Sequence, residues 1–227
     1  VVVNIENLLT PEQVGVFRNI LTEAHWEDGA ATAGTQSAKA KNNLQLPTES
    51  DEARRIGSAI YTALSSNATF LSAAVPARVF PPLFNCYQGG RYFDFHVDNA
   101  IRYLHDSSMR VRTDLAMTLF LSEPEEYEGG ELIIEDTFGT HSVKLLAGSM
   151  ILYPASSLHR VAPVTHGRRL ASFTWIQSMV RSSEHRRVLF ELDQTIQALR
   201  ARLDECDEAL RLTNIYHNLL RQWAEPA

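Results

Sequence analysis

Cysteine is nearly absent from this chain: Cys86 and Cys206 are the only two in 227 residues. That excludes a disulfide framework and a cysteine-rich zinc site, and it fits a reducing compartment. Long apolar runs are missing as well. Nothing approaches the roughly 20 consecutive apolar residues that a membrane-spanning helix needs. The opening VVVNIENLLTPEQ has neither a basic start nor a cleavable apolar segment. The expectation is a soluble, cytoplasmic protein that does not engage a membrane. Basic residues are in the minority, 21 Lys and Arg against 27 Asp and Glu for a net charge of −6, so there is no reason to expect nucleic acid as a partner. Internal repeats and low-complexity segments are also lacking. What remains is 44% hydrophobic and 21% charged, ordinary values for a globular chain of one large domain, or one domain with a small appendage.

Three zones differ in texture. The first, to about residue 75, reads as helical with one long loop. Thr10-Pro11-Glu12-Gln13 supplies a Thr cap, Pro at the first helical position and Gln at the third; Val14, Phe17, Ile20 and Leu21 then recur at helical spacing. Residues 28–50 turn to Gly, Ala, Thr, Ser, Asn and Lys and read as a loop that could cover a site. A second helix is expected over 52–65. In the middle zone, residues 79–178, the period changes from 3.6 to 2. Eight short β-rich runs follow one another (VFPPLFNCYQ, RYFDFHV, DLAMTLFLS, GELIIED, THSVKLL, SMILYPA, LHRVAPV and RLASFTWIQS), divided by glycine turn signals. Strands without intervening helices mean a sandwich or barrel, not a parallel α/β sheet.

The last zone is helical again. Ser182-Ser183-Glu184 opens it, and Leu189, Leu192, Ile196, Leu199, Leu203, Cys206 and Leu210 form a heptad-like stripe. A second face follows, with Leu212, Ile215, Tyr216, Leu219, Leu220 and Trp223, so two helices with a break at 206–208 are expected. The stripe must cover the outside of the barrel or meet a second copy. Packing on the parent domain is preferred, and a homodimer would be additional. The chain thus divides into a β domain with N-terminal helices, 1–180, and a helical extension, 181–227.

Chemistry concentrates in RYFDFHVDNAIR. On an alternating strand Tyr92, Asp94, His96 and Asp98 share one parity, and Phe93, Phe95 and Val97 the other. His96 and Asp98 would then face one point as metal-competent side chains. An isolated H-x-D is more often just the wet face of an antiparallel strand, so a later ligand must decide. Of the other histidines, His25, His185 and His217 fall in helices, His105 and His166 in polar loop or turn segments, and His141 in a short strand with no other ligand type on its parity. His159 is different: it begins the strand LHRVAPV late in the β zone. Ten residues on comes Arg169, whose planar fork suits a carboxylate in a way an ammonium cannot copy. Two histidines and one carboxylate hold one face of an octahedral iron and leave the opposite face open.

With these residues in view, the sequence resembles the PKHD-type hydroxylases, bacterial relatives of the prolyl and lysyl hydroxylases within the Fe(II)/2-oxoglutarate dioxygenases. The resemblance is carried by HVD at His96 to Asp98, GGEL at Gly129 to Leu132, and LYPASSLHRVAPVTHGRRLASFTWIQS from Leu152 to Ser178. WEDGAATAG and RLTNIYHNLLRQWAE also look characteristic, so nearly the whole chain is covered. It implies a mainly β fold, a double-stranded β-helix (jelly-roll) core flanked by N-terminal helices and a C-terminal helical pair. It also implies that His96, Asp98 and His159 bind Fe(II) as the catalytic metal, and that Arg169, rather than its neighbour Arg168, holds the distal carboxylate of 2-oxoglutarate. Tyr87 would reach the same carboxylate, and AKAKNNLQL would be a lid-side loop whose Lys and Asn are either substrate contacts or solvated surface. The implied reaction consumes O2, converts 2-oxoglutarate to succinate and CO2 and hydroxylates a substrate, with L-ascorbate as an auxiliary cofactor.

The substrate stays open between a peptidyl side chain and a siderophore-like small molecule. Arg102, Arg110 and Arg112 of IRYLHDSSMRVR would either meet an anionic substrate or be solvated surface. Two other classes compete: a jelly-roll isomerase or hydrolase that uses the same triad without 2-oxoglutarate, and a non-enzymatic iron- or ligand-sensing module. Arg169 argues against the first, and an intact triad together with that arginine against the second.

Overall fold

The structure is a computed structural model that describes residues 2–29, 40–104, 109–136, 139–204 and 206–225. The chain begins with strand β1 (Val3–Ile5), helix α1 (Pro11–Glu23) and the short strands β2 (Glu27–Asp28), β3 (Lys41–Asn42) and β4 (Leu44–Gln45). Helices α2 (Asp51–Ser66) and α3 (Ala68–Ala74) follow. The β region then runs through β5 (Pro76–Val79), β6 (Leu83–Gln88), β7 (Tyr92–His96), β8 (Ile101–Tyr103), β9 (Arg110–Arg112) and β10 (Leu115–Phe120). It continues with β11 (Tyr127–Gly129), β12 (Leu132–Asp136), β13 (Gly139–Val143), β14 (Met150–Pro154), β15 (Leu158–Val161) and the long β16 (Val164–Ser178). Helices α4 (Ser183–Leu203) and α5 (Asp207–Trp223) close the described chain. None of the described helices is long and apolar enough to cross a membrane.

Two antiparallel sheets face each other. The larger has the order β1-β14-β10-β16-β6-β4-β2, with β5 and β11 also paired to β16; the smaller has the order β13-β12-β15-β7-β3. All eight runs read as strands carry one. The strands of the larger sheet are apolar on both faces because both are covered, which is why DLAMTLFLS reads as a continuous run rather than an alternation. In β10, Leu115, Met117 and Leu119 pack with Leu21, Ile56, Ile60 and Phe70 of the helices. Ala116 and Phe120 join Tyr87, Ile134, Val164 and Trp175 between the sheets.

Local chemistry sets the helix ends. The Thr10 hydroxyl accepts from the Gln13 amide at 3.3 Å, while the Gln13 side chain accepts from the Thr10 amide at 2.9 Å, the reciprocal box expected from T-P-E-Q. Ser50, Asn67 and Ser182 cap α2, α3 and α4 more simply, each side chain accepting from the amide three residues on. The Asn67 cap splits the early helical zone into two helices.

Several expectations are corrected. IRYLHDSSMRVR is not simply a loop: Ile101–Tyr103 and Arg110–Arg112 pair as a hairpin, and Val111 anchors it in the core between the sheets. AKAKNNLQL contains two short strands, β3 on β7 and β4 on β6. Residues 30–39, and with them much of the 28–50 segment and WEDGAATAG, lie outside the described residues, as does His105. α4 ends at Leu203 and α5 begins at Asp207, earlier than the break expected at 206–208: Asp204 takes a positive φ of 54° and Cys206 is already the N-cap of α5.

The stripe on α4 is only partly used. Leu189 and Ile196 are buried, Leu189 against Val75 and Val180, and Met179, Tyr216, Leu219, Leu220 and Trp223 pack on that cluster. The Ser72 hydroxyl of α3 donates to Asp193 of α4 at 2.6 Å. Leu203, the last residue of α4, and Leu210, near the start of α5, are by contrast 61% and 64% exposed. Two truncations should therefore separate cleanly in denaturant melts. Leu189→Ala is expected to cost about 2–5 kcal/mol, the range for a buried leucine, whereas Leu203→Ala should stay within about 0.5 kcal/mol of the parent chain.

Candidate metal centre and cavity

β7 and β15 run antiparallel with His96 directly opposite His159; the register then slips, and Phe93 pairs with Val161. The slip is a β-bulge, which breaks strict alternation. It brings Phe93 and His96, three residues apart, to the same side, and their rings stack at 3.6 Å with 12° between planes. This corrects the parity read from the sequence, which sent Phe93 away from His96. Asp98 is not on the strand either. The strand ends at His96, and the chain carries Asp98 back over the histidines from the following segment. One potential ligand atom from each of His96, Asp98 and His159 lies within 4.8 Å of the others. The His159 Nε2 is 3.9 Å from the Asp98 Oδ2.

Both histidines are oriented by their own backbone. The Nδ1 of His96 lies 2.8 Å from the carbonyl oxygen of Asp94, and that of His159 lies 3.0 Å from the carbonyl oxygen of Ser157. A carbonyl can only accept, so each Nδ1 carries a hydrogen, which in the neutral ring leaves Nε2 with its lone pair. Burial, reinforced by neighbouring His159, pulls the His96 imidazole down to a pKa of about 4, so it is neutral at physiological pH. Burial pushes the Asp98 carboxyl upward, and His159, Trp175 and Arg102 beside it work the other way. Two imidazoles that present Nε2 and a carboxylate held this way could bind a divalent cation, which would also stabilise the ionised form of Asp98.

Arg169 is 1% exposed, and its Nε and both terminal nitrogens have no hydrogen-bond partner among the described residues. Its guanidinium lies over the rings of Tyr87 at 5.4 Å and Phe120 at 5.1 Å. Leaving a buried guanidinium without an acceptor is costly, and the group suited to its fork is a carboxylate. Arg168 points to the other face of β16, where its Nε donates to the Cys86 sulfur at 3.1 Å and it lies over Trp26. The hydroxyl of Tyr87 accepts from Asn43 Nδ2 at 3.0 Å.

Two further residues stand at Arg169: Tyr127, which sequence reasoning does not single out, and Gly130, which it names only within GGEL. Burial pushes the Tyr127 hydroxyl upward in pKa and the adjacent Arg169 works the other way, and the hydroxyl makes no well-formed hydrogen bond among the described residues. A Cβ on Gly130, at φ 69°, would come within 2.8–3.0 Å of Val164, Tyr127 and the Arg169 side chain, so the second glycine of GGEL leaves room for the arginine.

The triad faces a cavity of about 90 Å³ between the sheets, lined by Tyr87, Tyr153, Thr118, Leu132 and Val161, by the aromatic rings of Phe93, Phe173 and Trp175, and by Lys41, Asn85 and Arg102. Trp175 was legible in principle, since it shares the inward parity of Arg169 on β16. Of the three arginines of the 99–112 segment, Arg102 alone lines this cavity. Arg112 is bound to Asp114 at 2.7 Å, and Arg110 lies over Tyr103 at 5.5 Å.

Comparison with known proteins agrees with this arrangement. Residues 82–177 match the 2OG-Fe(II) oxygenase superfamily, and residues 184–225 match the PKHD-type hydroxylase C-terminal domain. A PKHD-type hydroxylase from Saccharophagus degradans is 62% identical over 221 residues, covering 97% of this chain and 98% of the relative. In fold, the chain is similar to a prolyl hydroxylase from Trichoplax adhaerens solved with a hypoxia inducible factor oxygen degradation domain peptide fragment. The TM-score is 0.55 at 17% identity, over 83% of this chain and 86% of that one. A Pseudomonas putida prolyl-4-hydroxylase gives a TM-score of 0.53 at 18% identity, over 78% and 92%. The jelly-roll architecture is thus shared with these enzymes, and the close relationship across almost the full length identifies the chain as a member of the PKHD-type hydroxylases, Fe(II)- and 2-oxoglutarate-dependent dioxygenases.

Proposed function

We propose that His96, Asp98 and His159 hold the catalytic Fe(II), that Arg169 anchors the distal carboxylate of 2-oxoglutarate, and that the cavity beside them receives the substrate to be hydroxylated. The observation that carries this reading is the pairing of two unsatisfied needs in one interior. Three ligand atoms lie within 4.8 Å of one another, and a buried guanidinium nearby has no well-formed hydrogen bond among the described residues. Iron with 2-oxoglutarate and O2 supplies the oxidation, converting 2-oxoglutarate to succinate and CO2 as the substrate gains a hydroxyl.

The chain's own part is placement. The carbonyls of Asp94 and Ser157 fix both imidazoles so that Nε2 is presented. Phe93 holds the His96 ring flat. Asp98 contributes the single negative ligand, and three protein ligands on one side leave the rest of the coordination sphere to small molecules. Arg169, with the Tyr87 ring against it and the Tyr127 hydroxyl buried among its neighbours, orients the cosubstrate from its far end. The rings of Phe173 and Trp175 and the side chains of Leu132 and Val161 keep the reacting region dry. The unpaired fork favours this reading over a jelly-roll isomerase or hydrolase, which has no carboxylate to clamp. The proposal extends to a cytoplasmic enzyme in which residues 1–180 carry the chemistry and 181–227 brace the sheet. Its substrate is peptidyl or a small molecule.

Iron content and activity test the triad. Asp98→Ala should keep the circular dichroism of the parent, lose the one iron per chain found by elemental analysis and abolish succinate formation. Stoichiometric iron in a chain lacking both His96 and His159 would refute the assignment. The cosubstrate anchor is tested by calorimetric titration of 2-oxoglutarate into the metal-loaded protein. Arg169→Lys keeps the charge and loses the fork, so binding should weaken by about 1.5–3 kcal/mol, the size of a charge-assisted hydrogen bond. Arg168→Lys should leave it almost unchanged, and a reversal of the two would mean that the other face of β16 carries the carboxylate site.

A further inference from the structure

Lys41 on β3 and Arg102 on β8 come from different sheets and line the same cavity as the triad. Both are largely withdrawn from water, which long cationic side chains ordinarily seek. Arg102 lies over Trp175 at 4.2 Å and over Phe80 at 5.4 Å. The acidic group that acts on it is Asp98, which the functional reading commits to the metal. Lys41 donates to Gln45 Oε1 at 2.7 Å and lies 5.9 Å from the Phe93 ring centroid. Burial and the nearby Arg102 pull its ammonium down to a pKa of about 8, against the opposing pull of Asp28. Lys41 has Gln45 and Asp28 beside it, and together with Arg102 it gives one partly dry cavity two cations, whose potentials add on any anion that enters between them.

A second observation concerns hydrogen bonding. Asn85, 7% exposed and on the cavity wall, has an Oδ1 with no partner among the described residues. It stands directly opposite Gln45 across the β4–β6 pair. An acceptor left open there suits a ligand that brings an N–H or O–H. The remaining lining, Phe93, Phe173, Trp175, Leu132 and Val161, is apolar.

We infer that the substrate is an acid: a carboxylate or phosphate held between Lys41 and Arg102, on an apolar body that rests against Phe173 and Trp175 and offers a hydrogen to Asn85. This rests on the reading of the triad and Arg169 as the iron and 2-oxoglutarate sites, and it adds the chemical class of the third ligand. Arg169 and the Lys41–Arg102 pair would each receive a separate anion, the first from the cosubstrate and the second from the substrate.

The test uses matched probes that differ in charge: benzoate and phenyl phosphate against benzamide. Each is titrated calorimetrically into the full chain loaded with Mn(II) under argon, both with and without saturating 2-oxoglutarate. At least one anion should bind about tenfold or more tightly than benzamide, the size expected of a charge-assisted contact. Lys41→Gln and Arg102→Gln should each remove most of that preference while benzamide binding and 2-oxoglutarate affinity stay within about twofold of the parent. Equal affinity for acids and amide, or no binding by any of the three, would overturn the proposal. So would an equal loss of 2-oxoglutarate affinity in the two variants, because the cations would then serve the cosubstrate. The preference of the unaltered chain is itself a readout, so the test does not depend on either variant folding. A failure of 2-oxoglutarate to bind the unaltered chain would count against the Arg169 reading alone, because the acid–amide comparison is also made without it.

Discussion

Where β7 meets β15, His96 is held opposite His159, and one step later the register slips so that Phe93 faces Val161. Backbone hydrogen bonding between two strands, rather than any side-chain attraction, therefore brings two imidazoles together that would otherwise stay apart. Their ring centroids are 4.3 Å apart, and burial, with His159 adding to it, disfavours a proton on the His96 Nε2, as its depressed pKa records. The same slip turns Phe93 onto the His96 ring. Without it, strict alternation would send that phenyl to the opposite face and leave the imidazole unsupported.

β16 does the corresponding work in the larger sheet. Its 15 residues pair with β11, β6, β10 and β5 in turn, so one continuous strand fixes the depth of everything that projects from it. Arg169, Phe173 and Trp175 share the inward parity, and Arg168 lies on the other face, against Cys86 and Trp26. Trp175 then becomes the surface on which Arg102 of the hairpin rests. A change of one residue in the register of β16 would exchange Arg169 for Arg168 and remove the aromatic wall of the cavity at the same time.

Rigidity is supplied from outside the sandwich. The outer face of the larger sheet is covered by α1, α2 and α3, whose Leu21, Ile56, Ile60 and Phe70 are almost fully buried. The C-terminal pair adds a smaller contact through Leu189, Val75 and Val180, and the Arg186 guanidinium donates to the carbonyls of Val180 and Arg181 at 2.7 and 2.8 Å. That contact clasps the chain just after β16 ends. The helices thus brace the strand that positions Arg169, far from the ligand atoms themselves.

Much of this was legible in the residues. Helix ends followed from short-range chemistry: the Thr10–Gln13 box needs only neighbouring residues to form. The eight main strands followed from period 2 and glycine turns, and His96, Asp98, His159 and Arg169 stood out by residue type and spacing. Distances between elements were not legible, because they depend on pairings remote in sequence. The slip at His159 is invisible in RYFDFHV and in LHRVAPV taken separately; it exists only in their ladder, so strict alternation places Phe93 on the wrong face. Asp98 was expected on the strand, and it reaches the histidines from beyond the strand's end. Lys41 and Arg102 looked equally like solvated surface, since a charge in a polar segment reads the same whether it meets water or a cavity wall. The stripe of α4 showed which residues were apolar, and only the position of the sheet decided that Leu189 is buried while Leu203 faces water. Residue type and period are local properties and so were determined by the sequence alone. Register, burial and the meeting of charges arise from long-range contacts, and only the tertiary structure decided them.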